Sequence, residues 1–298
     1  MSQTKGMRLA FFIAVVAFAL WATARRAAGA AGCAEPKLIA SPPAEAPAAS
    51  EGGPLTIVSI NIAKETDERV IAAEIERHET LRRADVLALQ EVLREGAESN
   101  VALRLAERLH MAALVAGSGD GSGADGTDAV ALLSRYPLAD PAVIRLPQNS
   151  LGVRSRCRVA LAATVDHPAS PTRVIGLHLD TRINIESRMA QLEPALADAR
   201  RFDGPAVFAG DFNTNKFLWL EHLIPVPFVQ DQVAPVLERM AELGFRTPFE
   251  PGGQATNDFL GLQLDWVFLR DLDAAHWGVE PLDFSDHHAV WVRTGSAQ

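Results

Sequence analysis

The chain has 298 residues, of which 48% are hydrophobic and 22% are charged. This composition is typical of a globular protein, and the length allows one large domain or two small ones. The formal net charge of −9 becomes more negative without the first 33 residues, which hold four of the 28 Lys and Arg residues and none of the 37 acids. We therefore do not expect a broad basic surface for nucleic acid, although the charge is compatible with a local basic track. The two cysteines, Cys33 and Cys157, exclude a disulfide-rich scaffold and a zinc-finger cluster.

Residues 1–33 have the pattern of an export signal or a membrane anchor. Two cations precede an uninterrupted apolar run at 9–22, which is shorter than the roughly 20 residues of a membrane span. The tetrapeptide Ala30–Cys33 is similar to a bacterial lipobox, whose cysteine is lipidated. Three fates stay open: a lipoprotein anchored through Cys33, a secreted chain, and an uncleaved anchor whose arginine pair lies at the membrane surface. All three predict an exported protein, and two of them predict a membrane contact through the N-terminus.

Residues 34–54 are rich in Ala, Pro, Ser and Glu and lack periodicity. Such a segment is typical of a flexible linker. We therefore predict an N-terminal signal or anchor at 1–33, a linker at 34–54 and one catalytic domain at 55–298.

From Leu55 onward, short apolar runs alternate with segments whose apolar residues have helical spacing. Strands are predicted at 55–62, 85–92, 129–135, 158–166, 173–179, 205–210, 264–270 and 288–294. Helices are predicted at 67–83, 94–109, 186–201 and 229–243, with a Gly- and Asp-rich loop at 117–128. This succession predicts an α/β (α+β) protein with two packed sheets and outer helices.

Polar side chains interrupt the apolar runs at or near the predicted strand ends. They are Asn61, Glu91, His178, Asp211, Asn213, Asp265, Asp286 and His287. Most of them, taken singly, fit a turn, a cap or a satisfied buried group. Glu91 fits less well, because a buried carboxylate is costly unless a cation or donors meet it. Since strand ends aim side chains into a common cleft, the set as a whole predicts one functional site.

The segments that carry these residues occur in the order SINI, LALQEV, GLHLDTR, AGDFNT, LDWVF and SDHHAV. Together with LLSRYPL at 132–138, they resemble the endonuclease/exonuclease/phosphatase superfamily, the deoxyribonuclease I-like proteins, over residues 55–293. We expect a bacterial exported member. The resemblance implies a four-layer α/β/β/α sandwich of two mostly antiparallel mixed sheets, and metal-dependent cleavage of phosphate esters.

The resemblance also implies a metal site. Glu91 would bind the metal, with Asn61 close by and Asp286 sharing it. Carboxylate and amide oxygens suit Mg²⁺, which keeps several of its waters, and Mn²⁺ could take its place.

The remaining polar residues have implied roles in proton transfer and phosphate binding. His287, paired with Asp265, would be a general base or, if protonated, a phosphate-binding cation. Asp211 would orient or activate the attacking water, and Asn213 would donate to the phosphate. His178 would assist the leaving group or bind phosphate.

Arg154, Arg156 and Arg158 alternate with other residues, so an extended chain places them on one face. Two interpretations stay open: a rim that binds substrate phosphate, and a solvated strand edge. Cys157 faces the other way and is expected to be an inert buried thiol. His288, at a position where the family often carries Arg, Lys or Tyr, is expected to point away from His287 in a structural or rim role.

The leading interpretation is an exported, monomeric phosphohydrolase that uses Mg²⁺. Nucleic acid, a phospholipid or sphingomyelin, and a small organic phosphate all stay open as substrates. The acidic charge weighs against a processive nucleic-acid enzyme, and no long apolar or aromatic insertion is recognised in favour of lipid. The alternative is a non-catalytic binding module, which we would expect to lack Glu91, His178 or His287.

Overall fold

The computed structural model describes residues 33–41, 53–93, 100–117, 128–151 and 156–295. The strands within these residues are β1 Lys37–Ala40, β2 Thr56–Asn61, β3 Val86–Leu93, β4 Ala112–Gly117, β5 Asp128–Ser134, β6 Leu138–Arg145, β7 Val159–Val165, β8 Thr172–His178, β9 Ala206–Asp211, β10 Phe217–Leu220, β11 Ile224–Pro227, β12 Asp265–Arg270, β13 Ala274–Glu280 and β14 Ala289–Thr294. The helices are α1 Glu68–Arg77, α2 Val101–Leu109, α3 Ile185–Ala199 and α4 Val233–Glu242, with short 3-10 turns at Leu81–Arg83 and Phe259–Gly261.

The strands form two large sheets and one hairpin. The larger sheet has the order β1-β4-β5-β3-β2-β14-β13, the smaller has β12-β9-β8-β7-β6, and β10 pairs with β11 alone. Only the pairs β2–β3 and β8–β9 are parallel among the described strands. The predicted pair of mostly antiparallel mixed sheets is therefore confirmed.

Alternation along the central strands builds the layers. Ile57 of β2 and Ala88 of β3 belong to the core between the sheets, which continues through the smaller sheet to α3 and α4. Their neighbours Val58 and Leu87 face the other way and pack against α1 and α2. These strands are buried on both faces, which is why their sequences are almost continuously apolar.

The predicted helix at 67–83 is wrong in its C-terminal part. It starts as expected, because the Asp67 side chain accepts a hydrogen bond from the Arg69 amide at 2.9 Å. It ends at Arg77, and the backbone of the next residue, His78, is extended. The next helix begins at Val101 with Asn100 as its N-cap, and residues 94–99 of its prediction lie outside the described residues.

The linker prediction also needs correction. Residues 37–40 form β1, which pairs antiparallel with β4 from Lys37↔Gly117 to Ala40↔Leu114. Part of the segment is therefore an edge strand of the larger sheet, although it lacks the apolar period of a core strand. Residues 42–52 lie outside the described residues.

Cys33 and Cys157 form a disulfide across a sequence separation of 124 residues. This overturns two expectations. Cys157 is not a free thiol, and a Cys33 sulfur bonded to another sulfur cannot carry a lipid thioether. The rest of the predicted signal or anchor lies outside the described residues, and no helix within them is long and apolar enough to cross a membrane.

We predict that Cys33→Ala and Cys157→Ala each lower the free energy of unfolding by about 2–4 kcal/mol, because either change opens a long covalent loop in the unfolded chain. Urea unfolding of the full chain measures this. The double variant should lose no more than the worse single variant, because there is only one cross-link to lose. Additive losses would contradict the bridge.

Candidate active site

The sheet register brings the polar strand ends together. Asn61 pairs with Gln90 where β2 ends and its parallel pairing with β3 stops. His178 pairs with Asp211 at the ends of β8 and β9, and Asp211 pairs with Asp265 at the start of antiparallel β12. Since these ends lie on one edge of the sandwich, residues far apart in sequence meet there.

The Asp211 carboxylate lies at the centre of this group and is 1% exposed. Its Oδ1 accepts from the Asn213 amide at 2.8 Å. Its Oδ2 accepts from Asn61 Nδ2 at 3.2 Å, across the two sheets, and lies 3.4 Å from His178 Nε2 and 3.9 Å from His287 Nε2. Burial, and next the Asp265 carboxylate, raise the pKa of Asp211 to about 7.

His287 and Asp265 form the pair that the resemblance implied, with His287 Nδ1 at 2.8 Å from Asp265 Oδ2. The same oxygen accepts from the Thr256 hydroxyl at 2.8 Å, a partner that the sequence did not indicate. Burial opposes a charge on His287, but Asp265 and then Asp211 outweigh it and raise its pKa to about 10. These contacts orient the ring with Nε2 toward Asp211.

His178 is 1% exposed, and its Nε2 lies 3.3 Å from Arg158 Nη2. Burial, followed by the charge of Arg158, holds the pKa of His178 well below its ordinary value. Arg158 itself is buried and donates to Asp180 at 3.1 Å, so it is not part of a solvated strand edge. Arg156 is half-buried, and Arg154 lies outside the described residues.

Glu91 reaches the site through an irregularity in β3. The register with β5 shifts between Leu89 and Val92, and Glu91 has a φ of 56°. Such a bulge changes the direction of a side chain. Here the Glu91 side chain is 17% exposed and lines the cavity. The Glu91 carboxylate forms an ion pair with Lys64, which the sequence analysis had not singled out.

Among the other predicted site residues, Asn213 is buried, whereas Asp286 is exposed. Asn213 is buried with a φ of 52°, and its Nδ2 donates to the Leu179 carbonyl at 3.0 Å. Asp286 is exposed, and its carbonyl accepts from Asn257. His288 is half-buried with Nε2 at 3.5 Å from Asp258, which agrees with the expected structural or rim role.

A buried arginine of α3, Arg188, holds the loops that carry the site, and the sequence analysis missed it. Arg188 of α3 is 0% exposed and donates to the carbonyls of Phe212 at 2.6 Å and Asp180 at 3.1 Å, and to the Gln232 side chain at 2.7 Å. Burial lowers its pKa to about 10, so the guanidinium stays charged at neutral pH. Arg188 thereby fixes the loops after β8 and β9, and its one signal in the sequence was a cation in a predicted helix.

Gly210 explains the glycine that precedes Asp211. A Cβ at this position would lie 2.1 Å from the Leu177 carbonyl oxygen of the neighbouring strand. Any side chain would push β8 and β9 apart at the pair Leu177–Gly210, which is next to the pair His178–Asp211.

The site opens into a cavity of about 610 Å³ with two unlike walls. The polar wall contains Glu91, Asp211, Asn213, Asp286 and His287, and the apolar wall contains Phe217, Trp219, Pro225, Pro227, Leu260, Leu262 and Leu264. This volume is within the range of sites for small molecules or parts of larger ones.

The donor set fits a hard divalent cation. Glu91 and Asp286 offer carboxylate oxygens to the cavity, and the Glu91 carboxylate already attracts a cation, the Lys64 ammonium. Among the described residues, Asp211, Asp265 and His287 form a group of three whose ligand atoms all lie within 4.8 Å of one another. Asp265 Oδ2 and His287 Nδ1 are already hydrogen-bonded to each other. The predicted metal position therefore stays at the oxygen ligands around Glu91.

The fold and the site define a two-sheet sandwich with buried carboxylate, amide and imidazole groups gathered at one edge. The Endonuclease/Exonuclease/phosphatase family matches residues 58–287 of the chain. The chain belongs to this family, and the implied superfamily is confirmed.

The individual relatives either match a part of the chain or have low sequence identity to it. A UPF0294 protein of Vibrio vulnificus (strain YJ016) is 30% identical over 121 residues, which is 40% of this chain and 38% of that relative. An endonuclease/exonuclease/phosphatase structure from Beutenbergia cavernae has a TM-score of 0.63 at 23% identity, over 82% of this chain and 72% of that one. D. rerio TDP2 complexed with a single-strand DNA product has a TM-score of 0.56 at 18% identity, over 81% and 99%. At such identities the structures show the fold alone.

We predict that the losses of activity in Asp265→Asn and His287→Ala do not multiply, because the two residues share one hydrogen bond and act as a unit. Hydrolysis rates of both single variants and the double variant measure this. The double variant should be about as slow as His287→Ala alone. Multiplying losses would show that the two side chains work independently.

Proposed function

We propose that the protein is an exported, Mg²⁺-dependent phosphodiesterase. The family to which it belongs supports a hydrolase that acts on phosphoesters. The observation that carries the proposal is the convergence of Asn61, His178 and His287 on one buried oxygen, Asp211 Oδ2, beside the cavity. Keeping a carboxylate at 1% exposure is costly, and a structural role alone does not require it.

In the proposed reaction a water oxygen attacks phosphorus, and the bond to the leaving ester oxygen breaks. Bound at Glu91 with Asn61 and Asp286, Mg²⁺ would neutralise phosphate oxygens and stabilise the departing oxygen. Asp211 orients the water and takes up its proton, because Oδ2 is the acceptor on which the surrounding groups converge. His287, held by Asp265, presents Nε2 to the same place and contacts the phosphate.

Asn213 and His178 complete the proposed phosphate site. Asn213 lines the cavity next to Asp211 and is held by the Leu179 carbonyl. His178 is fixed between Arg158 and Asp211, which prepares it to bind phosphate or assist the leaving group. Arg156 and Arg158 bring positive charge to this end of the site, and with Arg154 they stay the predicted substrate-binding arginines.

Export is supported by the disulfide and by the apolar run at 9–22. Structural disulfides persist in oxidising compartments and are rare where thiols are kept reduced. With Cys33 in the disulfide, the two fates that remain are secretion after cleavage and an uncleaved anchor. Both place the domain outside the cytoplasm.

We predict that Glu91→Gln lowers the rate of bis-p-nitrophenyl phosphate hydrolysis in Mg²⁺ by about 10²-fold or more, because a negative charge leaves the metal site. The fold should be kept, since the amide has the same shape. The matched control is Glu76→Gln, which removes an exposed carboxylate of α1 and should leave the rate unchanged.

Two results would contradict the proposal. Full activity of Glu91→Gln in Mg²⁺ would remove the metal assignment. Absence of Mg²⁺-dependent hydrolysis by the unmodified chain, with this ester and with a panel of DNA, RNA, sphingomyelin and phosphoinositides, would favour a binding module on the same fold.

A further inference from the structure

Exposed apolar side chains are concentrated on and next to the β10–β11 hairpin, which also contributes residues to the cavity lining. Of the eight large hydrophobic residues exposed among the described residues, three are scattered: Leu38, Val70 and Trp277. The other five, here named the apolar rim, are Leu220, Ile224, Phe228, Val229 and Leu260. Leu220 and Ile224 lie on the β10–β11 hairpin, Phe228 and Val229 directly follow it, and Leu260 lines the same cavity as the hairpin. Leu220 and Ile224 pair with each other and alternate with the cavity-lining residues Trp219 and Pro225, so both faces of the hairpin are apolar. Large apolar side chains exposed together in this way mark an interaction surface.

Phe228 is the most exposed member of the rim, at 85%. Its φ is 61°, a left-handed conformation that is unfavourable for a bulky side chain. The residue therefore combines two unfavourable features, since both its backbone and its exposure cost free energy. Contact with an apolar phase would recover the cost of exposure.

The hairpin that carries the rim is fastened to the site. Asn184 holds Trp219 through its side-chain amide: Nδ2 donates to the Trp219 carbonyl at 3.0 Å, and Oδ1 accepts from the Trp219 N–H at 2.7 Å. Gln232 donates to the Phe217 carbonyl at 2.9 Å. Because the same strands supply Phe217, Trp219, Pro225 and Pro227 to the cavity lining, a surface that contacts the hairpin lies next to the cavity.

The strand chemistry disfavours another protein as the occupant. Pro225 and Pro227 remove two backbone donors from β11, so its free edge is a poor template for pairing with another chain. A formal net charge of −9 also disfavours attraction to an anionic partner such as nucleic acid. The apolar rim is thus suited to a non-polar phase that needs no backbone hydrogen bonds.

Under the uncleaved-anchor fate, the entry point of the chain also brings the site near a membrane. Cys33 is bonded to Cys157, whose neighbour Arg158 contacts His178 of the site. The apolar run at 9–22 ends 11 residues before Cys33, a stretch that spans at most about 40 Å when extended. If that run lies in a membrane, the site is within this reach of the lipid surface.

We propose that the apolar rim docks into a lipid surface with neutral headgroups, and that the substrate is the phosphodiester of a membrane lipid whose apolar part lies along Phe217, Trp219 and Leu262. The substrate assignment rests on the proposed phosphodiesterase function. The docking does not, because it depends on the rim alone. The attraction is apolar, so docking persists at high salt.

Docking is tested in the full chain by a polarity-sensitive fluorophore on Phe228→Cys. Both native cysteines are in the disulfide, so the new thiol is labelled selectively. On addition of phosphatidylcholine and phosphatidylethanolamine vesicles, the emission should rise and shift to the blue. The matched control is Trp277→Cys on β13, which is 47% exposed away from the hairpin and should not respond. Both carry the same N-terminus, so its own membrane affinity cannot produce a difference.

The substrate is tested by the ratio of two hydrolysis rates, that of phosphatidylcholine in vesicles over that of bis-p-nitrophenyl phosphate. Ile224→Ser and Phe228→Ser should each lower this ratio by about tenfold or more, because each removes one inserted side chain. Trp277→Ser should leave it unchanged.

Three results would overturn the proposal: no response of the label at 228 to vesicles, an equal response at 277, or a concentration-dependent response without vesicles, which would indicate a second copy on the rim. Faster cleavage of DNA or RNA than of lipid, with no effect of the rim variants on the ratio, would overturn the substrate assignment. If the soluble ester is not hydrolysed at all, the proposed function fails, while the fluorescence result still decides the docking.

Discussion

The burial of the Asp211 carboxylate between two sheets is the constraint on which the site depends. Asp211 ends β9 in the smaller sheet, and Asn61, which donates to it, ends β2 in the larger. This hydrogen bond joins the sheets at their common edge, where Gly210 lets β8 and β9 approach. Both histidines lie near Asp211 for the same reason. His178 on β8 pairs with Asp211, and Asp265 on β12, which pairs with Asp211 from the other side, holds His287.

The sequence predicted most of this edge because the chemistry sits at strand ends. Apolar runs marked the central strands, and the polar residues that interrupt them are the ones the structure gathers around Asp211. Strand pairing then follows from burial, which sets the register and with it the neighbours of each side chain. The His287–Asp265 pair came from the resemblance, and periodicity alone would not have found it.

What the sequence did not predict depends on long-range contacts and local backbone irregularities. The bulge that turns Glu91 toward the cavity has no signal in LALQEV, and the pairing of Cys33 with Cys157 is invisible in two isolated cysteines. The exposed hairpin is instructive, because FLWLEHLIPVPFV is as apolar as a core strand. Only the fold shows that its outer residues are exposed, while Phe217, Trp219, Pro225 and Pro227 of the same hairpin line the cavity.

The disulfide and the hairpin are both connected to the buried residues of the site. The disulfide ties the start of the domain to the segment that carries Arg158, and Arg158 holds His178. The hairpin is bound through Asn184 and Gln232 to the loops that Arg188 fixes. The polar centre and the hairpin are thus connected through the buried groups Gln232 and Arg188. A surface docked on the hairpin would therefore lie next to the residues proposed to bind phosphate.

The central claim is that Asp211 is buried for chemistry and not for stability. Asp211→Asn keeps the shape, loses one acceptor worth about 1 kcal/mol, and relieves the burial of a charge beside Asp265. Urea unfolding and ester hydrolysis of this one variant test the claim together. We predict a free energy of unfolding within about 1 kcal/mol of the original and a rate lowered by about 10²-fold or more. A loss of several kcal/mol, or a retained rate, would contradict the account.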